Sequence, residues 1–130
     1  LKAPTPPSPS RQRRGTRAYH EGLDAEHRAI AFLEKEGYTV LAHRLRTPLG
    51  EIDLIVTSPG WIVAVEVKQR RSLNESLYAL SSRQSQRLLS AFHLVLEMHP
   101  EWHQPNTRFD VVLVDASGLC HKVEDALRLL

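Results

Sequence analysis

Two short runs, Glu51-Ile52-Asp53-Leu54-Ile55-Val56 and Val63-Ala64-Val65-Glu66-Val67-Lys68, constrain this chain more than anything else in it. Both are rich in β-branched residues and carry polar groups at a spacing of two, the pattern of strands rather than helices. Thr57-Ser58-Pro59-Gly60, just before Trp61, is a turn signal, so the two runs should form an antiparallel hairpin. A period of two puts Ile52, Leu54 and Val56 on one face and Glu51, Asp53 and Ile55 on the other. In the second strand the valines share a face, and Ala64, Glu66 and Lys68 share the opposite one. Glu66 and Lys68 are then roughly 6.5 Å apart at the backbone. If the turn pairs Val56 with Trp61, Asp53 lies diagonal to Glu66; a tighter loop sets them directly opposite. Either register leaves Asp53, Glu66 and Lys68 on one face.

Around the hairpin the pattern alternates between helix and strand. Ala18 to Glu36 reads as a helix, with Ala29, Ile30, Phe32 and Leu33 at helical spacing and Gly37 as its stop. Tyr38 to about Leu45 reads as a strand. Ser81 to about Met98 reads as a second amphipathic helix, with Leu88, Leu89, Phe92, Val95 and Leu96 as its inner stripe. Arg108 to Asp115 is a fourth strand and Leu119 to Val123 a fifth, followed by a short helix from Glu124. The order gives an α/β or α+β sheet domain with a mostly antiparallel first half.

The chain of 130 residues suffices for one domain and not for two. Residues 1–17, with Pro4, Pro6, Pro7, Pro9 and four arginines, bury nothing and are expected to be a disordered basic tail ahead of a domain over 18–130. No apolar run approaches the ~20 residues of a membrane span, and no secretory signal is expected. Cys120 is the single cysteine, which excludes an internal disulfide and fits a reducing compartment such as the cytoplasm. A net charge of +2 permits a polyanionic partner without demanding one. His99 and His103 are spaced as zinc ligands on a helix could be, but Pro100 and Pro105 interrupt any helix there, so a loop is expected. Trp61 and Trp102 read as packing residues. No Gly-rich phosphate loop and no serine-nucleophile motif occurs.

The chemistry concentrates in the hairpin. An E-x-K tripeptide on a strand is by itself more often a solvated ion pair than a catalytic site. Asp53 across the turn changes the balance, and so does Glu26, which lies three, four and seven residues before Ala29, Ile30 and Leu33 on the apolar stripe of the first helix. A carboxylate aimed at a core costs several kcal/mol unless it is paired or meets a cation. Oxygen donors from Asp53, Glu66 and the backbone carbonyl of Val67 suit a hard divalent ion, Mg²⁺ or Mn²⁺. Lys68 would then orient a water or stabilise charge developing on phosphate, with Glu26 holding a second metal or a water in the outer shell. Glu51, on the face of Asp53, is a further candidate.

Gly22-Leu23-Asp24-Ala25-Glu26 with Gly37-Tyr38, Gly50-Glu51-Ile52-Asp53-Leu54-Ile55, Val65-Glu66-Val67-Lys68-Gln69-Arg70, Arg108-Phe109-Asp110-Val111-Val112 and Glu124-Asp125-Ala126-Leu127 resemble, in order and spacing, the motifs of the YraN family of small bacterial proteins. The resemblance covers nearly everything from residue 18 onward. It implies a restriction-endonuclease-like, three-layer fold, a central mixed sheet of four to five strands flanked by helices, similar to archaeal Holliday junction resolvases. It puts Asp53, Glu66 and Lys68 in the catalytic places of the PD-(D/E)xK pattern and Glu26 in the resolvase-like helix position. The family's Lys-Gln pair at the start of the second helix is replaced here by Ser82-Arg83-Gln84-Ser85-Gln86-Arg87, so Gln84 and Gln86 both answer to the glutamine. Arg70, Arg83 and Arg87 are the candidates for contacts to a nucleic-acid backbone. The function implied is a metal-dependent DNA endonuclease acting on branched or structured DNA, with DNA rather than RNA as partner; a symmetric cut across a junction would need a homodimer. The alternative is a catalytically silent nucleic-acid-binding or DNA-processing interaction module on the same fold.

Overall fold

A computed structural model describes residues 23–69 and 82–127. The stretch expected to be a basic tail, residues 18–22 of the expected first helix, residues 70–81 with Arg70 and Ser81, and residues 128–130 lie outside the described residues.

Helix α1 occupies residues 23–35. It stops because Gly37, at φ +101°, adopts a left-handed conformation that costs glycine nothing. Gly37 N–H then donates to the Glu34 carbonyl and Tyr38 N–H to that of Leu33, both at 3.0 Å, so the last helical carbonyls are satisfied. Strands β1 (Thr39–Thr47), β2 (Gly50–Ser58) and β3 (Trp61–Gln69) follow, then helix α2 (Ser82–Met98), a single 3-10 turn Pro100–Trp102, and strands β4 (Asn106–Val114) and β5 (Cys120–Val123). The sheet order is β1-β2-β3-β4-β5; only β3 and β4 run parallel, with α2 in the connection between them.

The sheet separates two cores. Ala25, Ala29 and Leu33 of α1 pack with Leu54, Val56, Val63, Val65, Val112 and Val114. On the other face, Leu88, Ala91, Phe92 and Val95 of α2 pack with Ile55, Ile62, Ala64 and Phe109. Helix, sheet and helix make the three layers expected from the sequence. Cys120 and Trp61 border the α1 core, and Trp102 borders the α2 core, as packing residues. Among the described residues no helix is long and apolar enough to cross a membrane.

The β2–β3 hairpin takes the tighter of the two registers: Ser58 pairs with Trp61 and Leu54 with Val65. Pro59 and Gly60 form the two-residue turn, with Gly60 at φ +86°. Gly60 N–H donates to Gln104 Oε1 at 3.1 Å, and its carbonyl accepts from Asn106 N–H at 3.1 Å, which fastens the turn to the start of β4.

Strict alternation fails in one place. Ile52 packs with Ile55 in the α2 core, whereas Leu54 and Val56 lie in the α1 core. Ile52 therefore does not share a face with Leu54, contrary to a simple period of two. The cause lies next door in β1, where the register slips between Val40 and Ala42 and Arg44 takes φ 54°. A left-handed residue inside a strand re-aims its neighbours and kinks the ladder. Asp53 sits at that break.

Residues 124–127 form a turn rather than the beginning of the expected helix. Asp125 takes φ 56°, and the amides that would start a helix are already used: Asp125 N–H donates to Asp110 Oδ1 at 2.9 Å and Ala126 N–H to the Phe109 carbonyl at 2.9 Å. Asp110, 1% exposed, also receives Arg108 through Nε at 2.7 Å and Nη2 at 2.8 Å, a bidentate pair. Arg108 reaches Tyr38 Oη at 2.8 Å and lies over the Trp61 ring at 4.9 Å. This pair ties β4, the chain end and the exit of α1 together. Asp110→Ala, which strands Arg108 without its counter-charge, should lower the unfolding free energy by about 3 kcal/mol in urea denaturation. A loss under ~1 kcal/mol would mean that the pair is a surface-type bridge.

Candidate active site

The β2–β3 ladder ends at Leu54–Val65, one step short of Asp53 and Glu66. Beyond that step the Val67 N–H donates to Asp53 Oδ2 at 2.9 Å, so a side chain takes the place of a main-chain acceptor. The strands fork there, and the Asp53 carboxylate sits in the gap. Glu66, on the face of Ala64, lies within hydrogen-bonding reach of Asp53. Lys68 Nζ stands 3.3 Å from Glu66 Oε1, with the two side chains 18% and 9% exposed. Asp53, Glu66 and Lys68 thus converge through the fork.

Glu26 approaches from α1. It is 6% exposed, on the stripe with Ala29 and Leu33, and close enough to Asp53 for its charge to raise the aspartate's pKa. Its Oε2 is also engaged, by His43 Nε2 at 2.9 Å and Arg44 Nε at 2.8 Å. The kink at Arg44 delivers two successive polar side chains, His43 and Arg44, to one carboxylate. The sequence held a signal for this: His43-Arg44 between Leu41-Ala42 and Leu45 breaks the strand period of two.

The remaining candidates are spread more widely. Glu51 is outside this cluster, paired with Arg46 at 3.6 Å on an exposed edge. Along α2, Gln84 is half-buried whereas Arg83, Gln86 and Arg87 are exposed, and Ser85, at 1% exposure, is the buried polar residue of that turn. Asp110 and Ser85 were not singled out from the sequence, where each looks like an ordinary surface polar group. His99 stacks on Trp102 with ring centroids 3.9 Å apart and holds Glu101 at 2.7 Å.

The electrostatics follow from burial. Removal from water pushes the Glu66 carboxyl up to about 7, Asp53's charge adds to this, and the Lys68 ammonium opposes it. Burial also raises Asp53, against the lowering effect of the Val67 amide. The contact between the two carboxyls raises Glu66 and lowers Asp53, so the proton they share rests on Glu66. Too much negative charge for the cations present is the condition that a divalent ion relieves.

The donor set suits such an ion in one form only. Among the described residues no three His, Cys, Asp or Glu side chains are grouped to hold a metal. Two carboxylates and a strand carbonyl leave most coordination positions to water and substrate, which is how Mg²⁺ is commonly held.

These shifts make a stability prediction. The folded chain keeps the Glu66 proton to about pH 7, whereas the unfolded chain releases it near 4.5. The folded state therefore binds more protons in that window, and stability falls as pH rises through it. Glu66→Gln should raise the unfolding free energy at pH 8 by roughly 2 kcal/mol and leave it nearly unchanged at pH 4, read by urea melts at both pH values. Equal effects at the two pH values would refute the charge origin.

A family model described as "Uncharacterised protein family UPF0102" matches residues 25–114, which hold Glu26, Asp53, Glu66 and Lys68. The chain is 41% identical over 129 residues to a UPF0102 protein of Azorhizobium caulinodans, covering 99% of this chain and 98% of that one. It is 44% identical over 116 residues to one from Granulibacter bethesdensis, covering 89% and 73%. A third, from Bradyrhizobium sp. strain ORS 278, is 46% identical over 102 residues, covering 78% and 72%. Order, spacing and coverage agree with the motifs seen in the sequence, and the chain belongs to the UPF0102 family, the family of the YraN proteins.

Proposed function

We propose that the protein is a metal-dependent phosphodiester hydrolase acting on DNA, with its site at the β2–β3 fork. The observation that carries the reading is the forked hairpin itself. Asp53, Glu66 and Lys68 meet where two strands separate, and the carboxyls hold a proton that an ordinary surface cluster would release. Asp53, Glu66 and the Val67 carbonyl would hold Mg²⁺ or Mn²⁺. When bound, the ion supplies Lewis acidity toward the scissile phosphate and the attacking water.

The chain's own residues supply the rest. The Val67 amide fixes Asp53 in the gap, so one oxygen of that carboxylate stays committed and the other is left for the ligand. Lys68, anchored by Glu66, brings an ammonium to the place where charge develops on the phosphoryl oxygens. Glu26 acts as a positioning residue: with Oε2 held by His43 and Arg44, it keeps those two side chains beside the fork. This differs from a role in holding a second metal. The single cysteine and the absence of a long apolar helix among the described residues accord with a place in the cytoplasm.

The test is incubation of supercoiled plasmid and four-way junctions with Mg²⁺ or Mn²⁺, and with chelator. Nicking should need the metal and fall about 100-fold or more in both Glu66→Gln and Lys68→Ala. A second readout needs no turnover: at pH 8, Mn²⁺ should raise the melting temperature of the wild type and not of Glu66→Gln. Cleavage that survives both substitutions is contamination, and DNA binding without cleavage makes the protein a silent nucleic-acid-binding module.

A further inference from the structure

The β1–β2 connection lies at the same end of β2 as the fork, and its construction is unlike that of an ordinary exposed turn. Pro48 fixes one φ angle of the tip. The Thr47 hydroxyl donates to the Gly50 carbonyl at 2.7 Å and accepts from Leu49 N–H at 3.1 Å, so the tip is stiff. On it stands Leu49, 45% exposed. Two arginines adjoin the tip, one from β1 and one from α2. Leu45 packs into the α2 core, so the next residue, Arg46, faces the α1 side; its side chain is 88% exposed and pairs at 3.6 Å with Glu51. From the other side, the stem of Arg87 on α2 lies along the tip: a Cβ on Gly50 would stand 3.5 Å from Arg87 Cδ.

A stiff apolar tip with an arginine on each adjoining element has the chemistry of a wedge for stacked bases. Proteins that kink duplex DNA insert an apolar side chain at a base step from the minor groove while cations engage the phosphates on either side. We propose that Leu49 is such a wedge, with Arg46 and Arg87 as its phosphate anchors. The protein's substrate is then duplex DNA that is unstacked or unpaired at one step. The proposal deepens the hydrolase reading and rests on it for the position of the cut. Gly50 and Asp53 are three residues apart on one strand, about 10 Å, which corresponds to roughly three nucleotides of a strand rising 3.4 Å per step.

The test uses a short fluorescent duplex, fully paired or with one mismatched step, and anisotropy in chelator so that nothing is cut. The wild type should prefer the mismatched duplex by about tenfold or more, the loss of an unstacking cost of at least ~1.4 kcal/mol. Leu49→Asp should abolish the preference, whereas Leu119→Asp, another exposed leucine, should keep it. Arg46→Ala with Arg87→Ala should weaken binding to both duplexes and flatten the slope of log K against log salt by about 1.8, roughly 0.9 per phosphate contact. With Mn²⁺, cuts should fall about three nucleotides from the mismatch. A preference that survives Leu49→Asp, or an unchanged salt slope, overturns the wedge; if the wild type still cuts, the hydrolase reading stands without it. If Leu49→Asp loses the preference in a chain that never cuts, the wedge stands and the hydrolase reading falls. A wild type that binds neither duplex overturns both.

Discussion

One hydrogen bond organises the molecule around its polar centre: Val67 N–H to the Asp53 carboxylate. A strand amide that loses its ladder partner must find another acceptor, because an unpaired buried amide costs about as much as a whole hydrogen bond. Using a side chain for this lets β2 and β3 separate without leaving the amide unsatisfied. The gap so formed admits Glu66 and Lys68 from one face and the field of Glu26 from the other. Kink, fork and perturbed carboxyls are parts of one arrangement. The Arg44 φ of 54° in β1 and the packing of Ile52 with Ile55 in β2 belong to it as well.

Everything else keeps that arrangement in place. The Pro59–Gly60 turn sets the register and is fastened to β4 through Gln104 and Asn106. Arg108 and Asp110 lock β4 against the chain end. The two helices press on opposite faces of the sheet, so the charged cluster is supported by separate apolar cores above and below. Buried carboxyls above their usual pKa destabilise the fold at neutral pH, and these cores and clamps offset that cost.

The layer order, the five strands and the convergence of Asp53, Glu66 and Lys68 were legible in the sequence, because a period of two and a Pro-Gly turn are local signals. Glu26 was legible as a charge on an apolar stripe. The broken period at His43-Arg44 was a trace of the kink, but its conformation was not legible, since a left-handed arginine is set by the tertiary demand of Glu26 and not by any propensity of Arg44. For the same reason Ile52 was assigned to the wrong face. The closing helix failed because Asp110, on the neighbouring strand β4, captured the Asp125 amide. Long-range side-chain capture of a backbone donor leaves no periodic trace.

The Val67 contact also separates the histories of the two carboxylates. Asp53 closes the strand fork, so selection for folding alone would keep it, whatever the site does. Glu66 and Lys68 carry no comparable main-chain obligation in the contacts seen here, and Glu66 lowers stability. Across the relatives, persistence of the glutamate–lysine couple therefore reports on the proposed chemistry, and the aspartate alone reports only on architecture.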